Sequence, residues 1–321
     1  MEKEIRKVAR ALLRDGKVDL VIGYGRGTLP LRSTPCFITD EDGVDELIWD
    51  PSCGVNLARY LPDIKGRVGI VAKGCDARSI VVLINEGQVE RENVQVIGVP
   101  CRGVIDRRKV EREFGSLDNL EITYAEDAIK IKGKDPERKL PLKGYLSEAC
   151  VSCRSQNPPI HDVLVGERIT EDSGVDEYSR VREIESMPAE ERWRFFEEEL
   201  GSCIRCYACR EACPLCYCKE CFVDETMPQW FGKTTDLSDT IIFHLVRALH
   251  LTGRCVDCGA CTKACPMEID LRSLTKKTEK IVKERFGQEY GLSLGEPPVM
   301  GVFKQDDPQE FVVKGGKEGS Q

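Results

Sequence analysis

Seventeen of the 321 residues are cysteine and only three are histidine, so metal chemistry in this chain is thiolate chemistry. Soft thiolates select iron–sulfur clusters, zinc or copper(I). The densest stretch, CIRCYACREACPLCYCKEC, runs from Cys203 to Cys221 and places seven cysteines in nineteen residues. Its first part, Cys203, Cys206, Cys209 and Cys213, has the pattern C-x-x-C-x-x-C-x-x-x-C-P. The same pattern returns at Cys255, Cys258, Cys261 and Cys265 in CVDCGACTKACP. A tetrahedral zinc site takes two C-x-x-C pairs and has no use for a third cysteine at the same interval and a fourth before proline. A cubane cluster does. Close spacing lets three thiolates wrap one of its faces, and nearby backbone N–H groups offset its negative charge. Pro214 and Pro266 turn the chain out of each run.

Both runs are similar to the signature of bacterial two-cluster ferredoxins. That resemblance implies two [4Fe–4S] clusters with crossed ligation. Cys203, Cys206, Cys209 and Cys265 belong to one, and Cys255, Cys258, Cys261 and Cys213 to the other. Between the runs stand 41 residues, Pro214 to Arg254, far more than a minimal ferredoxin needs. This insert holds Cys216, Cys218 and Cys221, which the eight ligand positions leave over. Their C-x-C-x-x-C spacing suits three thiolates around one metal, with Cys53 or Cys36 as a distant fourth ligand. The expectation is an additional cluster that ties the two halves of the chain together, because thiols packed this densely oxidise unless ligated or buried. His244 and His250 lie on a helix of the same insert and read as packing or solvent-bonded residues rather than ligands.

A further set lies upstream. Cys75 in VAKGCDARS follows one strand and opens a helix, and Cys101 in VIGVPCRGV occupies the same place after the next strand. If the two strands are parallel neighbours, both cysteines stand at the carboxyl edge of one sheet, where open α/β folds bind ligands. Helix N-termini at that edge favour an anionic group. EACVSCRSQ adds Cys150 and Cys153. A lone buried cysteine is usually a small hydrophobe, but three separate loops ending in cysteine point to a third [4Fe–4S] cluster on Cys75, Cys101, Cys150 and Cys153. Cys36 and Cys53 are also loop cysteines, and either is an alternative member of this quartet.

The elements that must hold these residues alternate in type. Residues 2–15 form a surface helix with Ile5, Val8, Ala9, Leu12 and Leu13 on one face. VDLVIGYG is a strand ending in a glycine loop. RVGIVAK (67–73) is a second strand followed by the helix DARSIVVLINEG, and VQVIGVP (94–100) is a third, followed by a basic helical stretch starting near Val104. Such alternation indicates a parallel α/β sheet with right-handed crossovers. Further on, ERWRFFEEEL (191–200) and SDTIIFHLVRALHLTG (238–253) are helical, the latter stopped by Gly253.

The expected organisation is an α/β domain with a mainly parallel sheet over 1–165 and a charged linker over 166–190. An α-rich, two-cluster ferredoxin-like domain with its insert follows over 191–285, then a tail over 286–321. The tail is rich in Gly, Pro and charge, a composition that orders only on contact and suits partner binding. GYGRGTLP offers three glycines and an arginine after a strand, but Pro30 and LRSTP follow with no helix. It reads as a plain turn rather than a dinucleotide fingerprint.

A net charge of −8 argues against nucleic acid and anionic membrane as partners. No segment approaches the roughly 20 apolar residues that span a bilayer. The N-terminal stretch carries acids throughout and lacks an apolar signal core, which points to a cytoplasmic protein.

VIGVPCRGVID is similar to the glycine-x-proline-cysteine segment of the beta subunits of F420-reducing hydrogenases and related formate dehydrogenases. CVSCRSQNPPIHDVLVGE resembles the C-x-x-C segment of the same family, and the similarity covers roughly residues 67–170. The resemblance implies an iron–sulfur subunit of a multisubunit oxidoreductase of hydrogenase, formate dehydrogenase or heterodisulfide-reductase type. Such a subunit relays single electrons between a catalytic oxidoreductase subunit and a further electron-transfer subunit. The family often carries FAD that hands electrons to a deazaflavin. The alternative is therefore a flavin-containing subunit that itself reduces or oxidises F420 or a nicotinamide. Two features depart from the family pattern: Arg102 stands where glutamine is usual, and the ferredoxin module follows the α/β domain instead of preceding it. No acid–base pair, activated serine or substrate pocket is visible in the sequence.

Overall fold

Runs of Val, Ile and Ala with no polar alternation make strands that are buried on both faces, as parallel sheets require. The computed structural model describes residues 1–303, except 119, 126, 127, 134–136 and 171–173, together with 305 and 307. Helix α1 (Glu2–Arg14) packs Ile5, Ala9 and Leu12 inward. Strand β1 (Leu20–Arg26) turns back into β2 (Ser33–Ile38), which pairs with it antiparallel. The Gly27 N–H donates to the Arg32 carbonyl at 3.1 Å inside this loop, so GYGRGTLP is part of a β-hairpin.

The alternating part of the chain follows: β3 (Val68–Ala72), α2 (Gly74–Asn85), β4 (Val94–Gly98) and α3 (Arg107–Phe114). The basic stretch becomes helical at Arg107 because the Asp106 side chain caps it, accepting from the Arg108 N–H. Strands β5 (Glu121–Ala125), β6 (Ala128–Lys132) and β7 (Arg138–Pro141) form a separate antiparallel sheet. Helix α4 (Glu148–Val151) and strand β8 (Val163–Leu164) complete the first half. The main sheet has the order β2-β1-β3-β4-β8, with every neighbouring pair parallel except β1 and β2. Ala72 of β3 stands opposite Gly98 of β4. Cys75 and Cys101 each come three residues after these level strand ends, so the register sets both at one edge.

The second half is helical: α5 (Ser179–Ser186), α6 (Ala189–Gly201), α7 (Ala208–Glu211), α8 (Leu237–His250), α9 (Ala260–Ala264) and α10 (Leu271–Phe286). Helix α5 lies within the segment read as a linker. Next to it, Glu177 pairs with Lys276 at 3.1 Å and Lys283 at 2.9 Å, both on α10. Gly287 takes the left-handed conformation (φ 65°) that ends α10. The chain then returns over the first half. Tyr290 is 7% exposed, its carbonyl accepts from Arg78 Nε at 2.9 Å, and the Ser293 carbonyl accepts from Asn85 at 3.0 Å. Composition did not foretell this return, because the contacts that hold it include one aromatic ring and backbone carbonyls, which composition does not weigh. The tail beyond residue 307 lies outside the described residues. Among the described residues, no helix is long and apolar enough to cross a membrane.

Candidate metal centres

The sequence repeat is also a backbone repeat. Arg205 and Asp257, at equivalent positions in the two runs, both adopt left-handed φ of 55° and 56°. Tyr207 and Gly259, two residues on, do the same at 58° and 67°. A non-glycine residue in this region costs about 1–3 kcal/mol and persists where its surroundings demand it. Here these turns lead into the short helices α7 and α9. The Arg205 N–H donates to Cys203 Sγ at 3.4 Å.

The thiols of the two runs interleave. Cys265 of the second run is a charge neighbour of both Cys203 and Cys209, and Cys206 is a neighbour of Cys203. Cys258 faces Cys213 of the first run and Cys261 of its own, and Cys255 faces Cys258. Burial pushes the Cys209 and Cys258 thiols up to about 12. Deprotonating such thiols needs a compensating cation or metal. Among the described residues, no group of three or more His, Cys, Asp or Glu side chains is placed to hold a single metal ion.

Helix α8 of the insert lies against the first run. His244, read from sequence as a packing or solvent-bonded residue, is 3% exposed and sets Nε2 at 3.3 Å from Cys203 Sγ. Burial, with the Arg247 and Arg205 cations nearby, holds its imidazole down to about 4, so it is neutral near pH 7. Arg247, one turn on and 5% exposed, donates from Nη2 to the Cys209 carbonyl at 3.0 Å. His250 packs edge-on against Phe222 with ring centroids 5.2 Å apart.

At the sheet edge, Cys101 neighbours Cys150 and Cys153 as well as Cys75. N–H groups dress these sulfurs too: Gly103 donates to Cys101 Sγ at 3.4 Å, Val104 to Cys150 at 3.3 Å and Ser155 to Cys153 at 3.3 Å. The Ser147 hydroxyl adds a contact to Cys150 at 3.3 Å. Gly74 makes the gathering possible, since a Cβ there would meet the Ser155 carbonyl oxygen at 1.9 Å. Cys75 is also a charge neighbour of Cys258, so this quartet abuts the second run.

A cavity of about 410 Å³ opens beside Cys101, lined by residues that include Trp49, Cys53, Lys73, Arg102 and Tyr124. Lys73 sits 3% exposed beneath it. Its ammonium pairs with Asp76 Oδ2 at 2.8 Å, donates to the Val55 carbonyl at 3.0 Å and contacts the Tyr24 hydroxyl. The Tyr24 hydroxyl donates to Asp76 Oδ2 at 2.9 Å. Sequence reasoning missed Lys73, Tyr24, Asp76 and Arg247. Only Arg247 had a readable signal, as a cation one helical turn from a histidine in an insert between cysteine runs.

The surplus cysteines face different surroundings. Cys216 is hydrogen-bonded to Cys213 and lies by Arg247, Cys221 accepts a hydrogen bond from Arg210, and Cys218 is exposed. Cys53 is buried against Asp50, Lys73 and Cys101, while burial and Glu46 act on Cys36 at β2.

Residues 202–270 match the family model for a 4Fe-4S dicluster domain. The second half of the chain carries that domain. Over 91% of this chain and 92% of the relative, it is 27% identical to the F420-dependent formate dehydrogenase subunit beta of Methanocaldococcus jannaschii. It is 26% identical to the F420-dependent formate dehydrogenase 1 subunit beta of Methanococcus maripaludis, over 90% of each. The chain is a distant, nearly full-length relative of these beta subunits. A chain from the F420-reducing NiFe hydrogenase complex of Methanosarcina barkeri aligns with 48% of this chain and 63% of its own length, at a TM-score of 0.38 and 16% identity. Sulfurs that meet N–H donors are the donor set a [4Fe–4S] cluster takes. The two runs fit the dicluster, and the sheet-edge quartet offers the same chemistry.

Proposed function

We propose that the chain is the iron–sulfur beta subunit of an F420-dependent formate dehydrogenase or F420-reducing hydrogenase type of complex, passing single electrons between partner subunits. Cys203, Cys206, Cys209 and Cys265 hold one cluster, Cys255, Cys258, Cys261 and Cys213 a second, and Cys75, Cys101, Cys150 and Cys153 a third. Bound there, the clusters supply one-electron carriers whose potentials answer to burial, charge and hydrogen bonds. The chain's own residues space these sites, aim N–H groups at the sulfurs and bury Cys209, Cys213 and Cys265 from water.

The observation that carries the reading is the neighbouring of Cys75 and Cys258, which joins the sheet-edge quartet to the dicluster. The line then runs from exposed Cys206 at one end to the cavity beside Cys101 at the other. Anaerobically prepared protein is expected to hold about 12 iron atoms per chain, and Cys101→Ser about 8, at four irons per cubane. About 8 iron atoms in both proteins would leave the dicluster alone.

The same cavity favours a second reading, in which the chain holds FAD and itself exchanges electrons with F420 or a nicotinamide. Trp49 and Tyr124 offer apolar ring faces there, and Lys73 and Arg102 offer positive charge. FAD released by acid from iron-replete protein would support it. A colourless supernatant from the same protein would remove it.

A further inference from the structure

We propose that α8, the helix of the insert between the cysteine runs, sets the reduction potentials of the dicluster. A cluster-bound Cys203 sulfur has no proton to give, so the His244 Nε2 in contact with it is then the donor, and the Arg247 guanidinium is a fixed cation between the two cluster sites. The proposal rests on the reading that the two runs hold [4Fe–4S] clusters, and adds what the insert does for them.

Ligation alone leaves the insert without a purpose, since the eight ligand positions lie outside it. His244 and Arg247 stand three residues apart on one helix face. His244 Nε2 is 3.3 Å from Cys203 Sγ, and Arg247 donates to the carbonyl of Cys209, the third cysteine of the same run. The groups that bear on Arg247 are the thiols of Cys261, Cys213, Cys216 and Cys209, drawn from both runs. Among the described residues, no carboxylate forms a salt bridge with it, and its Nε is buried without a hydrogen-bond partner. A buried guanidinium with no counter-ion costs several kcal/mol. Thiolates of Cys209, Cys213 and Cys261 bound to clusters supply the anions that this cation meets, beside the Cys216 thiol that hydrogen-bonds it.

The electrostatics fix the sign. Reduction adds negative charge to a cluster, so a hydrogen bond to a ligand sulfur or a buried cation nearby favours the reduced form and raises the potential. His244 touches a ligand of one site only, whereas Arg247 faces both. His244 therefore separates the two potentials, and Arg247 lifts them together.

The test uses the full chain, loaded with iron, and redox titration followed by EPR. His244→Leu is expected to move one dicluster signal to more negative potential and to leave the other in place. His244→Gln, which keeps a donor, should recover part of that shift. Arg247→Gln should move both signals in the negative direction. Iron-replete variants with unchanged potentials would overturn the proposal. If a variant loses its clusters, the wild type still decides: pulsed EPR on protein with isotopically labelled histidine nitrogen should show a weak nitrogen coupling to one reduced cluster. Absence of that coupling would overturn the His244 contact. Protein without iron would instead overturn the dicluster reading beneath it.

Discussion

The Lys73 ammonium is enclosed by Asp76, Tyr24 and the Val55 carbonyl, with almost no water contact. Its partner Asp76 is fully buried and has one oxygen, Oδ1, without a hydrogen bond in the protein. Removing one member of such a pair leaves a buried charge uncompensated, at about 3–5 kcal/mol. Asp76→Asn is thus expected to lower the unfolding free energy of the iron-replete protein by about that much, read from urea transitions. Replacing both at once, Lys73→Met with Asp76→Leu, should cost much less, because no charge is then stranded. A loss below about 1 kcal/mol in Asp76→Asn, the range of an exposed ion pair, would mean that water reaches the lysine. At this scale, the cysteines were legible because ligand spacing is local along the chain. Lys73 and Tyr24 were not, since they meet across 49 residues and neither neighbourhood marks its residue as buried. His244 was visible as a histidine on a helix, but its sulfur contact depends on how that helix packs.

Strands β1, β3 and β4 and helices α1, α2, α6 and α8 stood out in the sequence because each is a continuous apolar run or a clear helical stripe. Strand β2 and the β5–β7 sheet did not. Their strands are short and carry Ser, Thr, Lys and Glu on a solvated face, so no strong period survives. Helix α10 was missed for a related reason: it buries Ser273, Thr275 and Lys276 along with Leu271 and Val282. The insert combines both outcomes. Its helix was legible, whereas the partners of Cys216, Cys218 and Cys221 depend on how the loop packs. Cys216 lies beside Cys213, Cys221 beside Arg210, and Cys218 is exposed. The double variant Cys218→Ser, Cys221→Ser is accordingly expected to keep the iron content of the wild type. A loss of about 4 iron atoms per chain would restore these two as ligands of a further cubane.

At the scale of the whole molecule, the two halves are joined where the sites meet. Glu86 of the sheet domain accepts from Tyr217 at 2.7 Å and from Arg254 Nη2 at 2.6 Å. Lys263 reaches the Gly54 carbonyl at 2.6 Å, and Arg108 the Cys265 carbonyl at 2.5 Å. Gly259 faces Ala149 so closely that a Cβ there would lie 2.5 Å from the alanine methyl. Cys75 is a charge neighbour of Cys258, so reduced clusters at the two proposed sites should interact magnetically. Fully reduced wild-type protein is expected to give a broadened, fast-relaxing EPR spectrum. If the proposed sheet-edge cluster is present, removing it with Cys101→Ser should narrow the contribution of the Cys258 site. The Cys203 site stands farther along the line and should change less. If the spectrum of an iron-depleted Cys101→Ser protein keeps the wild-type line shape and relaxation, the sheet-edge quartet is not coupled to the dicluster. The line of sites would then end at Cys258.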